Sequence, residues 1–301
     1  MSKKAVKRKR GNRLGFWFFR TAIRTFGLRG AYGLLYFVAL YYLIFDRSAV
    51  MAGLAYTRRR FPDHGTVQQL YDVYLLFVSQ GKSLIDRYYV AAGGTGIRND
   101  LRGYEQLKSF LAEGHKGFIL LTAHVGNWQV AMTSLRKFGR TVHLVMRPED
   151  NAAVREALHL DRDDDNGAIR VLSTDDSLGC VIEALKAIDR GEIVSIMGDR
   201  TYGYSAVEAT LLGGNVQFPY GAFSIAAAAR CPVVVLLSAK VGTMQYVTDV
   251  THIIDHPSGP RGNKTAAIKA CVQEFASVLE NYTVHYPYQW FVFRDMWRGN
   301  D

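Results

Sequence analysis

Phe118-Ile119-Leu120-Leu121, followed at once by Thr122-Ala123-His124-Val125-Gly126-Asn127-Trp128-Gln129, decides how this chain is read. Four consecutive large apolar residues suit a strand buried on both faces, as in the parallel sheets of α/β proteins. The polar run then leads into an amphipathic stretch, expected as a helix over 127–138. The same alternation recurs downstream. Strands are expected at 141–146, 169–172 and 193–197, and helices near 151–161 and 175–190. Further strands are expected at 233–237 and 246–254, with a closing amphipathic helix over 263–284. The pattern predicts an α/β fold with one mixed central sheet flanked by helices.

Upstream, residues 56–99 carry a helical period through Leu70, Val73, Tyr74, Phe77 and Val78, ended by Gly93-Gly94-Thr95-Gly96. Those glycines lack the preceding strand and the third glycine of a dinucleotide fingerprint, so they read as a plain loop.

The charge is distributed unevenly. Residues 1–60 hold 14 Lys and Arg against Asp46 alone, whereas the other 241 residues hold 23 against 26 acidic groups. Basic character therefore belongs to the terminus, and the slightly acidic body excludes a polyanion groove through the core. In the terminus, Lys3 to Arg13 precede Phe16-Trp17-Phe18-Phe19 and then an apolar run from Gly30 to Phe45. Polybasic residues, aromatics and an aliphatic run match the layers of a membrane surface. The run's 16 residues fall short of the roughly 18 to 20 that a spanning helix needs. A membrane-resting segment over 1–60 and a body over 61–301 are expected, with no nucleic-acid partner. Three separated cysteines, Cys180, Cys231 and Cys271, give no disulfide framework.

In such sheets chemistry collects where strands end and loops begin. Three places qualify: His124 to Gln129, Arg147 to Asn151, and Gly198-Asp199-Arg200. An imidazole at a strand-to-helix junction suits a general base, since a free histidine titrates near pH 6.5. Asp161 to Asp165 lacks the spacing of a calcium loop, and His252 with His256 does not share a helical face, so no metal site is expected.

His124-Val125-Gly126-Asn127-Trp128-Gln129 resembles the H-x-x-x-x-D/E signature of the lysophospholipid acyltransferase superfamily, in the form used by its lipid A acyltransferase branch. Arg147-Pro148 with Asn151, Gly198-Asp199-Arg200, Phe218-Pro219-Tyr220-Gly221 and the aromatic ending Tyr286 to Phe293 resemble further elements of that branch, in matching order. The resemblance implies a glycerolipid acyltransferase-like fold at the cytoplasmic face of a bacterial inner membrane. It also implies transfer of a fatty acyl group from an acyl carrier protein or acyl-CoA thioester to a hydroxyl or amine of a lipid-like acceptor. The thioester is a co-substrate, and no cofactor or metal is implied. His124 is the implied base. Amides around Gly126 and Asn127 are the implied oxyanion donors, each worth about 3 to 4 kcal/mol. Arg147, Asn151 and Arg200, together with Asn127 and Phe218 to Gly221, are the implied substrate contacts. For Arg147 and Arg200, ion pairs with Asp150 and Asp199 are the structural alternative.

The chain departs from the motif at its acid, where Gln129 stands. An amide oxygen accepts Nδ1–H but supplies no charge to the imidazolium. Either Asp199 supplies that charge, or the chain is a catalytically impaired homologue that binds lipid.

Overall fold

The computed structural model describes residues 13–91, 93–112, 117–135, 139–146, 169–201, 205–258 and 263–297. Three helices come first: α1 (Arg13–Phe45), α2 (Arg47–Arg60) and α3 (Thr66–Ala91). Asp46 starts α2 by accepting the Ala49 amide, which satisfies one of the helix's free N–H groups.

The body is α/β with a central mixed sheet flanked by helices. Its strands are β1 (Arg98–Arg102), β2 (Phe118–Thr122), β3 (Val142–Met146), β4 (Ile169–Ser173), β5 (Ile193–Met197), β8 (Val233–Gly242), β9 (Gln245–Asp249) and β10 (Ile253–Ile254). They run in the order β1-β9-β8-β2-β5-β3-β4, with β10 beside β8. A separate antiparallel pair, β6 (Ala206–Leu211) and β7 (Gly214–Pro219), stands apart from it. The helices of the body are α4 (Tyr104–Ala112), α5 (Trp128–Leu135), α6 (Ser177–Asp189), α7 (Gly221–Ala229) and α8 (Lys264–His285).

Every residue of β2 is buried, because the strand lies mid-sheet between parallel β5 and β8 with helices on both faces. One face joins Ile119 and Leu121 to Ala222, Phe223, Phe275 and Leu279 of α7 and α8; the other joins Phe118 and Leu120 to Leu107 and Met132 of α4 and α5. The strand expected over 246–254 is interrupted: β9 pairs with the C-terminal half of β8 and β10 with its start. The helix expected over 151–161, and the acidic run Asp161 to Asp165, lie outside the described residues.

Helix α1 breaks at Gly27, whose φ of 67° suits glycine. Beyond the break, Leu28, Ala31, Tyr32, Leu35 and Ala39 are buried on one face, several of them against α3. Leu35 approaches so closely that a Cβ on Gly81 would lie 2.3 Å from its Cδ1. Buried Asp86 of α3 ties this region together, accepting from the Tyr32 and Tyr246 hydroxyls and from Lys240 Nζ. The opposite face of α1 exposes Phe37, Leu40, Tyr41, Ile44 and Phe45. Thr21–Phe45 is long and apolar enough to cross a membrane by length and composition alone. One of its faces is nevertheless taken up by the body.

Candidate active site

Parallel pairing of β2 with β5 sets Thr122 opposite Met197, and the Gly198 amide donates to the Thr122 carbonyl at 2.8 Å. Two residues beyond each strand stand His124 and Asp199, so the register that aligns the strands also aligns these side chains. His124 Nδ1 lies 2.7 Å from Asp199 Oδ1, and the His124 amide donates to Oδ2 at 2.9 Å. Trp290 Nε1 also donates to Oδ2, at 3.1 Å. The carboxylate is fully buried, while the imidazole keeps 21% of its surface exposed.

The ionisation state follows from these contacts. Burial alone raises the carboxyl's pKa. The His124 charge and hydrogen bonds, with Arg200 nearby, outweigh burial and hold Asp199 well below the usual carboxylate range. An ionised Asp199 is an acceptor only, so Nδ1 carries the proton and Nε2 is left as the basic nitrogen.

The loop carrying His124 is clamped on both sides. Phe291 N donates to the His124 carbonyl at 2.8 Å, and Gly126 N donates to the Gln289 carbonyl at 2.9 Å. The Gln289 side chain bonds both the amide and the carbonyl of Lys240. Gly126 has φ +49°, and a Cβ there would lie 2.0 Å from the Ser238 carbonyl oxygen. Its own carbonyl accepts from buried Ser83 Oγ at 2.6 Å. The Gly126 amide, expected as an oxyanion donor, is therefore already occupied by Gln289.

Other expected residues fall in varied places. Asn127 starts α5: its Oδ1 accepts the Val130 amide and its Nδ2 donates to the Ser83 carbonyl, so the buried side chain serves the fold. Gln129 lies in the first turn of α5, with its side chain outside the described residues. The Nδ1 position that this amide was expected to serve is held by Asp199. Arg147 and Asn151 lie outside the described residues. Arg200 donates to the Phe291 carbonyl at 2.5 Å, which turns it toward the C-terminal segment. Phe218 is fully buried edge-on to Phe275, so its ring fills the core. Pro219 ends β7, Tyr220 caps α7 and exposed Gly221 begins it. Among the described residues, no hydrogen bond joins these four to His124 or Asp199.

Sequence reasoning missed the part played by Gln289-Trp290-Phe291. The aromatic ending was visible, but nothing local indicates that Trp290 pairs with Val125 across the His124 loop and reaches Asp199. Among the described residues no group of three or more His, Cys, Asp or Glu converges as a metal site would require.

The site is a buried carboxylate behind a partly open imidazole at the end of a parallel strand. It holds what proton abstraction from a hydroxyl or amine requires. A family model described as bacterial lipid A biosynthesis acyltransferase matches residues 94–299, which include β2, β5 and the C-terminal clamp. No curated protein matches the chain.

Proposed function

Because the chain belongs to the bacterial lipid A biosynthesis acyltransferase family and is an acyltransferase, we propose that His124 is its general base and Asp199 the group that orients and charges it. His124 Nε2 takes the proton from an acceptor hydroxyl or amine. The freed oxygen or nitrogen attacks the thioester carbonyl of an acyl carrier protein or acyl-CoA donor, the C–S bond breaks, and the departing sulfur takes the proton from the imidazolium. The ionised carboxylate steadies that imidazolium through the proton's stay. The products are an acylated acceptor and a free thiol.

The single observation that carries this reading is the 2.7 Å contact between His124 Nδ1 and buried Asp199. It also supports Asp199, just beyond β5, as the source of the charge that Gln129 lacks. The rival reading, an impaired homologue that only binds lipid, rests on Gln129 alone. The exposed aromatic face of α1 and the basic composition of the N-terminal sequence support action at an anionic membrane surface on a lipid-like acceptor.

The test is consumption of acyl carrier protein thioester or acyl-CoA in the presence of a total bacterial lipid extract. Wild type should release thiol and form an acylated lipid visible by mass spectrometry, and His124→Ala should do neither while remaining folded. Equal thiol release by both proteins would remove His124 from the chemistry.

A further inference from the structure

A cavity of about 690 Å³ opens beside the break in α1, lined by Phe26, Leu28, Arg29, Tyr89, Arg98 and Met244 among others. None of its lining residues belongs to the His124 site. It lies at the β8–β9 turn and the start of β1.

Its lining joins apolar side chains to two arginines. Phe26, Leu28, Tyr89 and Met244 give it an apolar and aromatic wall beside the polar Thr243 and Gln245, and the volume falls within the roughly 300 to 1,000 Å³ typical of small-molecule sites. The backbone acceptors at the turn are spent: the Thr243 carbonyl takes Tyr32 Oη and Lys240 Nζ, and the Met244 carbonyl takes the Arg98 amide. The guanidiniums are not. Among the described residues, neither Arg29 nor Arg98 has a carboxylate within ion-pair distance or a side-chain hydrogen bond. Two unpaired cations over an apolar wall favour an anion that also brings hydrocarbon. Phe26, 73% exposed at the rim, begins a series of exposed apolar side chains that continues along α1 through Phe37, Tyr41 and Phe45.

We propose that this cavity binds the phosphate of an anionic phospholipid headgroup, with Arg29 and Arg98 supplying the charge and the acyl chains lying along α1. Such a site selects a lipid, where the polybasic terminus answers only to surface charge. It also fixes the depth and rotation of α1 at the membrane. The inference does not rest on the acyl-transfer reading, and its test measures binding, not turnover.

Short-chain dihexanoylphosphatidylglycerol, kept below its micelle concentration, is titrated calorimetrically into the full chain in nonionic detergent. Parallel titrations use dihexanoylphosphatidylcholine and inorganic phosphate. Wild type should saturate with one phosphatidylglycerol per chain and bind the other two probes at least about tenfold more weakly. The double variant Arg29→Gln/Arg98→Gln should lose about tenfold or more in affinity. Arg47→Gln/Arg58→Gln, with the same charge change at exposed positions off the cavity, should stay within about twofold. Met244→Trp, which fills the cavity and keeps both arginines, should also weaken binding, with circular dichroism reporting that each variant is folded. Binding of phosphatidylglycerol unchanged in Arg29→Gln/Arg98→Gln or in Met244→Trp would overturn the proposal. Phosphate binding as tight as the lipid's would overturn it too, leaving a simple anion site.

Discussion

Asp199→Asn is the substitution on which the catalytic reading turns. Among the described residues the carboxylate is met only by donors: the His124 amide and Trp290 Nε1 on Oδ2, and the His124 ring on Oδ1. An asparagine has one acceptor oxygen. Left at Oδ2, that oxygen keeps two hydrogen bonds, but the amide NH2 then faces Nδ1 and forces the imidazole into the tautomer protonated at Nε2. Turned the other way, the NH2 confronts two buried N–H groups, each left unsatisfied at a cost of about 1 to 3 kcal/mol. The first arrangement is therefore favoured, and it puts the proton on the nitrogen that must accept one. In a Ser–His–Asp triad the same exchange lowers kcat about 10⁴-fold, or roughly 5 kcal/mol of barrier. A loss of about 10³- to 10⁴-fold in thiol release is expected here, measured in single-turnover assays with donor in excess over KM. Thermal unfolding tracks the fold in parallel. Because Asp199 has its pKa depressed in the folded state, its stabilisation is fully present above the ordinary carboxylate pKa of about 3.9 and fades as pH falls through the lowered value. The Tm gap between wild type and variant should hold from pH 8 to about 5, begin to narrow below about 4 and close only as pH falls through the lowered value. Turnover within tenfold of wild type, with a Tm gap indifferent to acid, would refute the reasoning.

Three further substitutions probe the surroundings. Gln129→Glu should leave turnover within about threefold, because Nδ1 is already engaged by Asp199; a hundredfold fall in the thiol-release assay would show that the amide itself is needed. Gly126→Ala meets the Ser238 carbonyl at 2.0 Å and a φ of +49°, so it should lose roughly 2 to 3 kcal/mol in denaturant unfolding and displace the His124 loop. Trp290→Phe removes one hydrogen bond to the carboxylate while keeping most of the ring's packing. Its cost should be about 1.5 to 3 kcal/mol of stability by chemical denaturation, with about tenfold slower turnover.

Much of the architecture was legible because it is local. The run at 118–122 is apolar enough to need burial on both faces wherever it goes, and β2 is mid-sheet. The helix expected over 175–190 is α6, started by Asp176 accepting the Gly179 amide. Elements that escaped the reading lack that periodicity. Strand β1, Arg-Asn-Asp-Leu-Arg, is a charged strand at the sheet edge, where solvent tolerates charge. Helix α7 is nearly all apolar and has no polar face to betray its turn. The β6–β7 hairpin turns at Leu212-Gly213, both at positive φ, and leucine there gives no turn signal.

By itself, the order of residues determined that His124 stands between a buried strand and a helix, and that Gly126 follows it, since hydrophobic burial and chain stiffness act over a few neighbours. Only the tertiary structure decided what stands behind the imidazole. Asp199 reaches Nδ1 because β5 lies parallel beside β2 in one register, and Trp290 reaches Asp199 because the C-terminal segment crosses the loop. Those pairings join residues 75 and 91 positions apart. They depend on sheet order and chain closure, which no local pattern encodes.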